Sequence, residues 1–393
     1  MFRATKDIML ATTITGSLPR PRWYTESLGA RGLLEAMASA DFREQYMDAV
    51  STFLRDQEVA GLDIVTDGDC RFDNDVGGQS WSGYLTHHMA GYELAHPHTP
   101  ARRASFPHGS ILADNAETRV LPCITGQIDR GELQYANLWK AAQRQTTRPV
   151  KFGTASAEVV ATAADDRYYK SLDERMFAIA SAIHAELDEL ADAGCAAIQI
   201  EEPQIHMLAV RTPKDRPFSL DIAIELFNQT IKGLRSKTEI WAHTCWGNPS
   251  QQRMYAEVQS YAAGLDMLNA LDCDVITFES ASSARIDLEA IGKTVASDKK
   301  IGIGVIDHHT LQVERPEEVA DHIRTAIKFI PAERLVISTD CGMGREGMSR
   351  RHAFFKMVAL VQGTNIVRRE LGLPVAECRA ADERYILAAP ARR

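Results

Sequence analysis

The sequence predicts an α/β chain folded as a parallel (β/α)8 TIM barrel with a large insertion after the second strand. Three observations lead there. Eight short apolar, β-branched runs recur along the 393 residues, helical patterns separate most of them, and polar residues gather just past their ends. A doubly wound open sheet is the alternative. It would focus its ligands at one crevice, whereas a barrel brings eight strand ends to one rim.

The runs are MLATTIT, LDIVTD, PVKFGTA, AAIQIEEP, TEIWAHTC, DVITFES, KKIGIGVID and RLVISTD. Several are apolar throughout, as expected of strands covered on both faces. Before the fourth, Leu172, Met176, Ile179, Ile183, Leu187 and Leu190 recur every three or four residues and mark one buried helical face; Gly194 suits its C-terminal cap. Ser219 fits the N-cap of the next helix and Gly233 its end, and Pro316 fits the first turn of a third. The interval 70–149 shows no such alternation. It is rich in Gly, His, Pro and aromatic residues, and one run within it, RVLPCITGQI, reads as an antiparallel strand. We expect it to lie over the C-terminal face of the barrel, as a lid or a homodimer contact. Its histidines (His87, His88, His96, His98 and His108) have no ligand spacing and read as solvated loop residues. Residues 1–393 thus form a single barrel domain carrying the insertion.

A hydrophobic fraction of 45% and a charged fraction of 25% place the chain among ordinary soluble globular proteins. The net charge of −9, with no Lys/Arg block, argues against a nucleic-acid partner. No apolar stretch approaches a membrane span and no signal peptide is evident, so no membrane partner and a cytoplasmic location are expected. The seven cysteines show no disulfide framework. Cys195 and Cys273 sit among small apolar residues and read as buried core thiols. Cys245 and Cys341 differ, since each follows a strand and has turn-forming or polar neighbours.

That difference points to a metal. His243 and Cys245 close EIWAHTC, Glu279 closes VITFES, and Cys341 follows RLVISTD. One imidazole, two thiolates and a carboxylate can complete a tetrahedral Zn2+ shell. Because they come from separate segments, the fold must gather them, as in an enzyme site rather than a zinc finger.

The ordered blocks TTITGSLPR, GLDIVTDGD, RPVKFGTAS, IQIEEP, HTCWGN, DVITFES, GVIDHHT and TDCGMG resemble the catalytic barrel of the cobalamin-independent methionine synthase family. The resemblance covers most of the chain. It implies a zinc-containing barrel that moves an alkyl group onto a thiol, with the zinc ligands falling on the same four residues. Its partners are small molecules, a thiol acceptor and an alkyl donor. His309, in GVIDHHT, matches the histidine of the family's Asp-x-His motif, which makes it the candidate general acid, with Asp307 orienting it. A structural hydrogen bond across the barrel mouth is the competing reading. Ser17 matches the residue that helps bind the substrate carboxylate. Asp69 and Glu201 match the two acids that hold the amino group of homocysteine, with their side-chain lengths exchanged. A buried arginine is the competing partner for either carboxylate.

The donor side departs from the family. Methionine synthases read Leu-Thr-Gly-Pro there, followed by a tryptophan that stacks on the pterin. This chain reads Gly153-Thr154-Ala155-Ser156-Ala157-Glu158 with no tryptophan close behind. Trp81 and Trp246 are the remaining aromatic candidates, and both read as packing. The motif of the catalytic barrel also comes almost at once, so the second, N-terminal barrel of full-length relatives is not expected. The resemblance therefore fixes the acceptor better than the donor. The expected function is zinc-dependent methyl transfer to homocysteine or a similar aminothiol. Its alternatives are addition of a small thiol such as coenzyme M to an epoxide, as in some single-barrel relatives, and a non-catalytic protein that binds a thiol metabolite.

Overall fold

The computed structural model describes residues 2–21, 23–24, 33–71, 80–94, 122–201, 203–247, 259–282, 287–344 and 348–382. Its strands are β1 (Ala11–Thr12), β2 (Val65–Thr66), β3 (Ala90–Glu93), β4 (Cys123–Asp129), β5 (Val150–Ala155), β6 (Asp165–Asp166), β7 (Ala197–Glu201), β8 (Glu239–Thr244), β9 (Val275–Phe278), β10 (Lys300–Ile306) and β11 (Leu335–Thr339). All eight predicted runs form strands. They lie in one parallel sheet in the order β1-β11-β10-β9-β8-β7-β5-β2.

The two ends of that order meet. The Thr12 carbonyl accepts from the backbone N–H of Asp63 (3.1 Å) and of Ile64 (3.0 Å). In return, Thr12 donates from its backbone N and its Oγ1 to Asp63 Oδ2, each at 2.8 Å. The sheet is thereby closed into a barrel, as the alternation of strands and helices predicts.

Side chains alternate across each strand with period two. Ile198, Ile200, Ile240, Ala242, Ile276 and Ile337 join the apolar core between barrel and helices. The residues between them face inward. At the N-terminal end these are apolar, with Ala11, Ile64, Ala197, Trp241, Val275 and Val336 forming a separate cluster. Towards the C-terminal end the same inward rows turn polar: Gln199 and Glu201 on β7, His243 on β8, and Thr277 on β9, all buried. This change of character builds the site.

The surrounding helices follow their sequence signals. The helix Leu172–Asp192 is capped by Ser171, whose side chain accepts from Glu174 N, and it buries Met176, Ile179, Ile183, Leu187 and Leu190. Gly194, just past its end, has φ of 100°, the left-handed conformation that glycine adopts without strain. Ser219 accepts from Ile222 N at the start of Leu220–Thr230, and Pro316 opens Pro316–Ile327. No helix among the described residues is long and apolar enough to cross a membrane.

The interval after β2 holds more regular structure than its composition suggests. β3 pairs antiparallel with β4, as expected for RVLPCITGQI, and β6 adds a third, parallel strand. His87 and His88 do not lie in a solvated loop. They end the helix Ser80–His88, where His87 Nδ1 bonds Gly83 O at 2.7 Å and the buried His88 ring lies 4.3 Å from Tyr84. That segment carries serines and a glycine, poor helix formers, so burial of Tyr84 and Leu85 overrides propensity. His96, His98 and His108 fall outside the described residues, as does the Trp81 side chain.

Asp63 is also the acceptor for Arg368 Nη2 at 2.6 Å. Asp63→Ala leaves a nearly buried guanidinium without its counter-charge, though still bonded to Leu10 O at 3.1 Å, and the Thr12 N–H without its acceptor. The urea-unfolding free energy should fall by about 2–4 kcal/mol.

Candidate active site

Three of the expected metal ligands converge. His243 is the penultimate residue of β8, Cys245 lies just past its end, and Cys341 is two residues beyond β11. Their ligand atoms all lie within 4.8 Å of one another, and all three residues are buried. The Cys245 and Cys341 sulfurs are 3.3 Å apart, far beyond the roughly 2.05 Å of a disulfide. His243 Nδ1 bonds Thr277 Oγ1 at 2.7 Å, while its buried Nε2 has no hydrogen-bond partner among the described residues. Burial first, then Lys151 and His206, push the His243 pKa down to about 3. The imidazole is therefore neutral, and the tautomer that donates Nδ1–H to Thr277 leaves the Nε2 lone pair for a ligand. An orphaned imidazole nitrogen beside two close sulfurs fits a thiophilic, tetrahedral metal such as zinc.

Glu279 is buried but is not within that group. Its Oε2 accepts from Trp246 N at 2.8 Å, and its Oε1 accepts from the Ser282 hydroxyl. The turn that carries Ser282 is organised by Asp340, the residue before Cys341. Asp340 Oδ1 accepts from Ser280 N (2.8 Å) and Ala281 N (2.9 Å), and Oδ2 accepts from Ser282 N (2.8 Å). A Cβ at residue 304 would sit 2.0 Å from Asp340 Oδ1, so Gly304 is required for this nest to close. Asp340 and Thr277 thus set the positions of two expected ligands. Neither stands out in the sequence, because each acts through a hydrogen bond rather than a motif.

Asp307 and His309 form a pair past β10. His309 Nδ1 lies 3.3 Å from Asp307 Oδ1, which also accepts from His309 N at 2.7 Å. Burial alone would raise the Asp307 pKa. The His309 hydrogen bonds and the Lys356 charge outweigh it and hold the carboxyl below its ordinary value. Lys356 Nζ, fully buried, bonds Asp307 O (3.0 Å), Gln312 O (2.6 Å) and Glu314 (2.9 Å), which fixes the loop.

The expected acceptor residues also come together, with one addition. A Cβ at Gly16 would lie 3.2 Å from Glu201 Oε1 and 3.5 Å from Asp69 Oδ2, so both carboxylates gather beneath it. Asp69 stands at φ 51°, an unusual conformation for a residue with a Cβ. Its neighbour is Arg71, buried and ion-paired with Asp69 Oδ1 at 3.3 Å and Asp67 Oδ2 at 3.6 Å. The guanidinium also donates to Gly153 O at 2.6 Å and lies 4.3 Å from the Phe152 ring centre. The competing expectation, a buried arginine, is what Asp69 meets. Glu201 has a different partner. Gln199 Nε2 donates to its Oε1 at 3.0 Å, and Gln199 Oε1 accepts from Lys151 Nζ at 2.6 Å. Burial, and then the Asp69 charge, raise the Glu201 pKa well above the usual carboxylate range. Ser17 is buried beside the loop after Cys341, its carbonyl accepting from Met343 N (2.9 Å) and Gly344 N (3.0 Å).

Residues 10–362 match the protein family described as cobalamin-independent synthase, catalytic domain. The chain belongs to this family. Methionine synthases from Saccharolobus solfataricus and Thermococcus kodakarensis are each 29% identical to it over 364 residues. The alignments cover 92% of this chain and 96% and 95% of those proteins. A B12-independent methionine synthase from a Shewanella species, solved in complex with selenomethionine, matches with a TM-score of 0.74. It is 26% identical, over 92% of this chain and 99% of that one. A methyltransferase from Methanosarcina mazei, at 13% identity and a TM-score of 0.52 over 92% and 98% of the two chains, shares the fold.

Thr277 orients His243 through Nδ1, so Thr277→Val should weaken zinc binding about 10–100-fold, measured by competition with a chromophoric chelator.

Proposed function

We propose that this chain is a zinc-dependent S-methyltransferase that moves a methyl group onto the sulfur of homocysteine or a closely similar aminothiol. The observation that carries the reading is the convergence of His243, Cys245 and Cys341 around an orphaned imidazole nitrogen. Zinc, when held by these three residues, supplies the Lewis acidity that keeps a thiol of pKa about 8.5 ionised at neutral pH. Glu279 is the expected fourth ligand. Its hydrogen bonds to Trp246 N and Ser282 give it a position apart from the other three, so it would be the ligand most readily replaced by an acceptor sulfur.

In this reading Glu201 receives the acceptor's ammonium group. Gln199 aims its carboxylate, and a bound cation stabilises the charge that burial disfavours. Asp69, already paired with Arg71, contributes field rather than a direct contact. Ser17, through its hydroxyl and nearby backbone, receives the acceptor's carboxylate. The Shewanella relative's complex with selenomethionine supports an acceptor pocket shaped for an amino acid. His309 donates a proton to the atom that leaves as the sulfur–carbon bond forms and the carbon–donor bond breaks, and Asp307 orients it. The donor is a methyl compound whose leaving atom accepts that proton.

Cys341→Ser should abolish both thiol binding and turnover in a donor-and-thiol matrix followed by mass spectrometry; full activity of a zinc-free preparation contradicts the mechanism. In the same matrix, homocysteine should exceed 2-mercaptoethanesulfonate by roughly a hundred-fold or more in kcat/KM, because a site with a buried carboxylate rejects a thiol lacking the amino group. Preference for the sulfonate, with an epoxide as co-substrate, indicates thiol addition instead. Thiol binding without product across the matrix indicates a non-catalytic binder.

A further inference from the structure

The hydroxyl of Tyr261 lies between the two strand ends that carry Cys245 and Glu279. It donates to Thr244 O at 3.1 Å and accepts from Glu279 N at 3.1 Å. Thr244 precedes Cys245, and Thr244 and Phe278 are the last pair in register between β8 and β9. One hydroxyl therefore clips the two chains together at the point where the ladder stops and the expected ligands begin. Tyr261 is itself anchored, since its backbone N donates to Asp287 Oδ2 at 2.7 Å and its ring meets Phe278 edge-on at 5.1 Å.

A second aromatic residue acts on the next peptide. His206 Nε2 bonds Cys245 O at 2.6 Å, and its ring lies 5.0 Å from Tyr261 and 4.9 Å from Trp246. A carbonyl oxygen only accepts, so Nε2–H is the donor. Trp246 N in turn donates to Glu279. Consecutive backbone groups at 244, 245 and 246 are thus each held by a separate side chain. None of the three, Tyr261, His206 or Glu279, lies on β8, the strand that leads into Cys245.

We infer that Tyr261 and His206 are positioning residues that preorganise the ligand loop 244–246 and set the distance between Cys245 and Glu279. The inference rests on the metal reading above. Without the Tyr261 hydroxyl the Glu279 N–H and the Thr244 carbonyl lose their shared tie, and the two ligand-bearing ends can drift apart. Outer groups that orient ligands typically govern metal affinity by about 10–100-fold. The clamp acts on backbone, so its removal changes geometry at both Cys245 and Glu279 while leaving every ligand side chain in place.

The test compares wild type with Tyr261→Phe, which keeps the ring and its packing. Zinc affinity is read by chelator competition, and the cobalt-substituted protein is read by its visible spectrum. The variant should bind zinc about 10–100-fold more weakly and show an altered cobalt spectrum, while the metal-free protein keeps its circular dichroism. His206→Phe supplies a second probe should the first variant fail to fold, with the same expected loss. Unchanged affinity and an unchanged cobalt spectrum in a folded variant overturn the clamp while leaving the metal reading intact. Failure of the wild type itself to bind either ion overturns both.

Discussion

Sulfur atoms carried by β8 and β11 meet 3.3 Å apart because the sheet that bears them is curled. Two strands, β9 and β10, lie between them. At about 4.8 Å per step, a flat sheet would leave the two strand ends on the order of 14 Å apart. Closure through Thr12 and Asp63 completes that curvature, so a contact on one side of the barrel underlies the cluster on its rim. The same curvature brings Asp340, beside Cys341, onto the turn 280–282 that follows Glu279. The site is a property of the closed barrel and of no single segment.

Filling the upper barrel with polar groups costs desolvation, and the structure answers with specific partners. His243 is neutral and bonded to Thr277. Arg71 sits between Asp67 and Asp69, and Asp340 is wrapped by three backbone N–H groups. Lys151 is a fully buried cation. Burial pushes its pKa down to about 7 despite the Glu201 and Asp69 charges, and it stands 4.5 Å from the Trp241 ring at the top of the apolar floor. From there it fixes Gln199, and through Gln199 it fixes Glu201. The boundary between apolar floor and polar rim thus runs through the middle of the strands, at Lys151, Gln199 and Trp241.

Much of this was legible in the residue order. All eight strands announced themselves as β-branched runs, and the helix over 172–192 showed its stripe and its C-terminal glycine, though not its Ser171 cap. His243, Cys245 and Cys341 stood out because each stands at or just past a strand end, the two cysteines beside turn-forming or polar residues, whereas Cys195 and Cys273 sit among small apolar ones. Burial pushes those two thiols up to about 12. Arg71 was foreseeable only as an unnamed competitor, since nothing in DCRFD says that its guanidinium folds back under Phe152. The helix Tyr135–Gln143 went unread although Tyr135, Leu138, Trp139 and Ala142 keep helical spacing, because nine residues give the periodicity little length in which to show. Tyr261 and Asp340 act on backbone atoms of segments distant in sequence. Contacts of that kind leave no periodic or spacing signal.

The central claim is that two sulfurs and one imidazole nitrogen hold a single metal ion at the barrel mouth. X-ray absorption at the zinc edge of the loaded, thiol-free protein tests it most directly. The account predicts two sulfur neighbours at about 2.3 Å and at least one nitrogen near 2.0–2.1 Å, with one zinc per chain. A shell of nitrogen and oxygen alone, or no zinc retained after dialysis, would contradict it.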